Sequence, residues 1–345
     1  MGVLPFLLLR RCREGKPPAM MRTRELMRLQ NTGHPGINAL FSKAHSADWD
    51  IDRDIDWSMP VNPGDSLVAH EWAAFGKTPT FRRLPEPVKN YVVRRGIGRI
   101  LNVLQVGESV AQDVCAKLAL TVREEDYRNH AVAQAMDEAR HHLGYCRFID
   151  KMNEELEDID LGTEMMFDEL LAANDAVTLI ATEQFFLESL AMNIFESIQR
   201  HARHPLLREL ITLILRDESR HMGFGVLYIE EWMKQQDLTT RIQFARRWLS
   251  QIFMILMDQP GPLMASRMVQ RLEELGVDGA EQLGRQMLIE QQAVNAAEAE
   301  EVLSGQRLPH LLKNARHAGL LQPEIIEELG LTHHPLVKAA SLRPV

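Results

Sequence analysis

The pentapeptide Asp-Glu-x-Arg-His occurs twice in this chain, as Asp137-Glu138-Ala139-Arg140-His141 and as Asp217-Glu218-Ser219-Arg220-His221. Each copy lies inside a long run of helical periodicity. Glu and His three residues apart share one face of an α-helix, so both side chains of a copy can reach a single point. Both copies have apolar flanks, and burying a carboxylate without a partner is strongly unfavourable. The two faces are therefore expected to meet inside an all-α fold built on long helices.

Carboxylate oxygen with imidazole nitrogen, and no thiolate, suits iron or manganese rather than a structural zinc site. Two Glu and two His are too few anionic ligands for two divalent cations, so the helix before each copy is expected to add one. Glu108, in QVGESVAQ, and Glu183, in IATEQFFLES, sit inside apolar stretches. Their offsets, 138 − 108 = 30 and 218 − 183 = 35, let an antiparallel pair bring each level with its motif. Glu188 is a rival to Glu183 on a different face, and helix facing favours Glu183. The expected ligands are Glu108, Glu138, His141, Glu183, Glu218 and His221. One Glu from each of two helices and Glu-x-x-His from each of two others is the di-iron bundle pattern. Asp137 and Asp217, each oriented by Arg140 or Arg220, are expected to hold the remaining imidazole N–H groups.

The rest of the chain frames this core. Residues 1–85 read as an irregular N-terminal arm, with eight prolines and the tract DWDIDRDIDWS. Residues 86–236 read as the four-helix di-metal core. Pro85 and Pro87 suit a helix entry, and Thr121 with Glu124 gives a capping-box start for the second long helix. Residues 237–345 read as accessory C-terminal helices and a tail. No strand alternation and no Gly-rich phosphate loop is found.

Composition excludes other classes. A net charge of −9 argues against nucleic acid as a partner. The apolar run at residues 3–9 is too short for a membrane helix, and its Arg pair follows it where a signal peptide needs charge in front. It reads as a ragged tail ahead of Met20 or Met21. Three cysteines (Cys12, Cys115 and Cys146) form no CxxC pair and fit a reducing cytoplasm. Without flavin or iron–sulfur signatures, a separate reductase or ferredoxin is expected to deliver electrons. A homodimer is expected from fold-level analogy.

The doubled motif resembles the hydroxylase subunits of bacterial multicomponent monooxygenases, with RDESRHMGFG closest. ATEQFFLES and RDESRH also resemble the small subunit of class I ribonucleotide reductase. All belong to the ferritin-like di-iron carboxylate superfamily, to which p-aminobenzoate N-oxygenase-type enzymes are related. The likeness covers about residues 86–235. It implies a four-helix bundle, two iron ions (or a manganese–iron pair) and dioxygen activation on a small organic substrate by hydroxylation, N-oxygenation or a related oxidation. It leaves as alternative a radical-generating protein like the reductase subunit, or a ligand-binding oxidase similar to it. The N-oxygenase group carries an extra His four residues before the second motif Glu, where this chain has Ile214. The monooxygenases carry a Thr one turn after the third-helix Glu, where it has Leu187. Tyr145, four residues after His141, stands where the reductase subunit keeps its radical Tyr. Tyr145, Phe186 and Leu187, with Phe185 and Met136, are the expected pocket wall.

Overall fold

The computed structural model describes residues 32–46, 48–153, 158–257, 262–297, 309–334 and 337. The expected tail, with Cys12, Met20 and Met21, lies outside the described residues. Two short helices, α1 (Pro35–Ser46) and α2 (Pro79–Arg82), precede the main body. The first long pair is α3 (Glu86–Thr121) and α4 (Glu125–Met152). After α5 (Leu161–Ala172) comes a continuous rod of three pieces: α6 (Ala176–Ile180), a π-helical stretch (Ala181–Leu187) and α7 (Glu188–His201). It is followed by α8 (Pro205–Gln235). Then come α9 (Leu238–Met257), α10 (Pro262–Glu274), α11 (Ala280–Ala297), α12 (Pro309–His317) and α13 (Pro323–Glu328). No strand occurs among the described residues; Val68 and Ala202 form an isolated bridge. The architecture is an all-α, ferritin-like bundle.

Local chemistry sets most boundaries. Proline stands in the first turn of α3 and α8, where a missing N–H costs nothing. Asp160 and Asp175 cap α5 and α6 by accepting from the Thr163 and Thr178 amides. Asn153 ends α4 in the left-handed region. The capping box at Thr121 does not form. Thr121 instead closes α3, its hydroxyl donating to the Lys117 carbonyl at 2.9 Å, and Glu124 precedes α4 without a side-chain cap. A threonine in a last turn can bond back to the carbonyl four residues earlier, which satisfies it without starting a new helix.

Three apolar clusters enclose the bundle's middle. One joins Tyr145, Phe148, Phe195 and Leu210 to Trp49, Phe75 and Phe81 of the N-terminal segment and to Met268 and Leu272 of α10. A second packs Phe185 and Phe186 against Trp248 and α12. The third unites α1, the end of α3, the start of α4, and α5. Polar groups between such clusters are shielded from water, so they must satisfy one another.

Candidate metal centre

α3, α4, the π–α7 rod and α8 each point carboxylates or imidazoles at the enclosed middle. Glu108, Glu138, His141 and Glu218 offer ligand atoms that all lie within 4.8 Å of one another. Glu138, Glu188, Glu218 and His221 do the same. All six residues are buried. The two groups share Glu138 and Glu218. Glu138 turns Oε2 to His141 Nδ1 (3.1 Å) and Oε1 to His221 Nδ1 (3.2 Å). Glu218 mirrors it, with Oε1 on His141 Nδ1 (3.0 Å) and Oε2 on His221 Nδ1 (2.9 Å). Glu108 Oε2 stands 3.5 Å from His141 Nδ1, and Glu188 Oε1 3.6 Å from His221 Nδ1. Two shared and two terminal carboxylates can hold two cations side by side, one per imidazole.

The structure brings together five of the six expected ligands, and at the sixth position it places Glu188 rather than Glu183. The physical reason is the π-helical stretch. In an α-helix, residues five apart are about 140° apart. Here the Glu188 amide donates to the Glu183 carbonyl, an i→i+5 bond, so the two residues stack on successive turns of one side. The preference for Glu183 on helix facing assumed an unbroken α-helix. A signal for Glu188 was present all the same: 218 − 188 = 30, the same offset as 138 − 108 = 30. Glu183 is also buried nearby, and burial, then the charges of Glu138 and Glu218, push its carboxyl up to about 8.

Behind the imidazoles the two motifs cross over. His141 Nε2 meets Asp217 Oδ2 at 3.1 Å, and His221 Nε2 meets Asp137 Oδ2 at 3.1 Å. Each Asp therefore serves the histidine of the other helix. Arg140 spans both aspartates (2.5 Å to Asp137, 2.9 Å to Asp217), and Arg220 does likewise (2.9 and 2.7 Å). Two guanidinium and two carboxylate groups thus close an interhelical square. It fixes each ring with Nε2 outward and Nδ1 inward, as metal-ligating imidazoles require. Burial opposes ionisation of Asp217, but the hydrogen bond and charge of His141 hold it well below the ordinary range.

Sequence reasoning missed two contributors. Trp49 comes from the acidic tract of the N-terminal segment. Its indole N–H donates to Asp217 Oδ2 at 2.7 Å, it stacks on His141, and the Arg140 guanidinium lies 4.7 Å over its ring. The available signal was a tryptophan set between two aspartates in DWDIDRDIDWS. Gln134, one turn before Glu138, donates from Nε2 to Glu138 Oε1 (2.8 Å) and Glu188 Oε1 (2.9 Å). Of the expected pocket wall, Tyr145 is fully buried with its hydroxyl unpartnered. Phe186 faces Trp248, with ring centroids 5.4 Å apart, and Leu187 is half-buried between two clusters. Met136 is 68% exposed and points out of the bundle, because it lies on the face of α4 opposite Glu138 and His141.

The electrostatics are those of a cation site. Burial, then the Glu218 charge, raises the Glu108 carboxyl well above its ordinary range, and the same pair of causes raises Glu188. Burial works against charge on His141, yet Glu218 and the other carboxylates lift its imidazole well above the ordinary value. His221 is lifted in the same way, chiefly by Glu138 and Glu218. Four carboxylates balance two divalent cations, and oxygen with nitrogen donors suits iron or manganese, so the residues fit a dinuclear centre.

Among the described residues no helix is long and apolar enough to cross a membrane. No curated protein matches the sequence. The family described as P-aminobenzoate N-oxygenase AurF matches residues 34–302, or 269 of 345. That span runs from α1 through the helices that carry both motifs: the chain belongs to the p-aminobenzoate N-oxygenase AurF family, a family of ferritin-like di-iron oxygenases.

Proposed function

We propose that Glu108, Glu138, His141 and Glu218 hold one iron ion, that Glu138, Glu188, Glu218 and His221 hold a second, and that the chain oxygenates a small organic substrate, N-oxygenation of an amine first among the candidates. The observation that carries this reading is the sharing of Glu138 and Glu218 between two buried groups. The family description, an N-oxygenase of p-aminobenzoate, supports the amine. Two ferrous ions so held would supply electrons and open coordination positions to dioxygen. The chain's own part is positioning and exclusion of water. Asp137 and Asp217 keep a proton on each Nε2, leaving the inward Nδ1 lone pairs for the ions. The apolar clusters keep solvent out. Electrons then come from a separate reductase or ferredoxin, and the working assembly is a homodimer.

The deciding experiment is anaerobic iron loading followed by exposure to labelled dioxygen with an aminoarene. About two ions per chain and a labelled N-oxygenated product are expected. Loading below about one ion per chain would sink the reading. Tyr145 favours a second one, radical storage. Its hydroxyl is buried and unpartnered, and its first electrostatic influence after burial is the Glu108 charge. A long-lived tyrosyl signal that disappears in Tyr145→Phe, with no labelled product, would establish that reading instead.

A further inference from the structure

Gln134 is 1% exposed, and its terminal amide lies between Glu138 Oε1 and Glu188 Oε1. Those are the same two oxygens that face His221 Nδ1, at 3.2 and 3.6 Å. The other end of the amide, Oε1, is enclosed and has no partner. A half-satisfied amide inside a dry polar cluster is costly, so its orphan atom calls for a use.

A half-turn about the last side-chain bond exchanges Nε2 and Oε1 and moves no other heavy atom appreciably. Nitrogen is the right atom between Glu138 and Glu188 while those oxygens seek donors. Once a cation takes their lone pairs, an N–H2 aimed at it is repelled, and a carbonyl oxygen is attracted. The spacing suits coordination. Two oxygens at right angles on an ion with bonds of about 2.1 Å lie about 3.0 Å apart. Gln134's terminal atom lies 2.8 and 2.9 Å from its two carboxylate neighbours. The charge suits it too. Four carboxylates already neutralise two divalent ions, so a neutral donor adds a bond without leaving a buried charge uncompensated.

We propose that Gln134, through Oε1, is a further ligand of the ion held by Glu138, Glu188, Glu218 and His221. This rests on the dinuclear reading above. The matching position on α8, four residues before Glu218, is Ile214, which is buried and has no donor atom. The two ions are therefore unequal. The ion at His221 takes five side chains, and the ion at His141 takes four. The less crowded ion, beside Glu108, keeps more positions for dioxygen or substrate.

Anaerobic titration with Co(II), whose visible absorption strengthens as coordination number falls, tests this on the whole chain. The native sequence should take up two Co(II) in unequal steps. Gln134→Leu should weaken one step by about 10- to 100-fold and intensify the absorption of that ion. Gln134→Asn keeps an amide but is one methylene too short, and should do the same; it decides the matter should the Leu variant fail to fold. Native affinities and an unchanged spectrum in the folded variants would overturn the proposal while leaving the dinuclear centre standing. A native chain that binds no Co(II) would remove the centre and this ligand together.

Discussion

Glu138 and Glu218 carry the heaviest duty of any side chains in the protein, since each turns one oxygen to His141 and the other to His221. In the proposed centre their neighbours divide into terminal ligands and bystanders. Glu188→Ala is expected to reduce iron loading from about two to about one ion per chain, measured by metal analysis after anaerobic reconstitution. Glu183→Gln should leave loading at about two, because Glu183 belongs to neither group of converging ligand atoms and glutamine keeps its shape. The raised imidazoles of His141 and His221 and the raised carboxyls of Glu108 and Glu188 give a pH dependence. Raised values mean that these groups bind protons more readily in the ion-free protein than they would in water. An incoming cation must displace those protons, so binding releases them and affinity rises with pH. Ferrous titrations at about pH 6 and about pH 8 should show tighter binding at the higher pH; the reverse order would contradict the ligand set.

The π-helical stretch Ala181–Leu187 sets where Glu188 stands relative to Glu183, and it packs against α8. A Cβ at Gly225 would lie 2.4 Å from the Gln184 carbonyl carbon and 2.6 Å from the Phe185 nitrogen, both backbone atoms that cannot swing away. Gly225→Ala is therefore expected to destabilise the fold by about 1–3 kcal/mol. Thermal unfolding of the ion-free protein measures that cost. The same variant should bind the ion at His221 less tightly, since Glu188 follows the displaced turn. The long helices themselves were legible from periodicity. The π turn was not, because one additional residue between hydrogen-bonded partners leaves no mark on the hydrophobic pattern.

At the scale of the whole molecule the proposed centre cross-links α3, α4, α7 and α8 at a point between three apolar clusters. A cation bound only by the folded state stabilises it by mass action, about 2.7 kcal/mol at roughly 100 times its dissociation constant. Manganese or iron added anaerobically should raise the unfolding midpoint, and a chelator should return it to the ion-free value. The N-terminal segment is tied to the same point through Trp49. Removing its indole N–H in Trp49→Phe deprives Asp217 of a donor within a buried network, at a cost of about 1–3 kcal/mol in chemical denaturation. Asp48 and Asp52, which pair with Arg140 and Arg147, hold that segment against α4.

The sequence alone determined that the chain is helical, that two helices bear matched carboxylate–imidazole faces, and that preceding helices must add anionic ligands. Those conclusions follow from spacing and charge, which are local. Only the tertiary structure decided that Glu188 rather than Glu183 stands against His221, that each Asp serves the other helix's histidine, and that Trp49 and Gln134 stand beside them. Each depends on where one backbone lies against another: on a one-residue change of helical pitch, a crossing of α4 with α8, and the return of a distant segment. Periodicity states which face of a helix is buried, but the partner across that face is a property of packing.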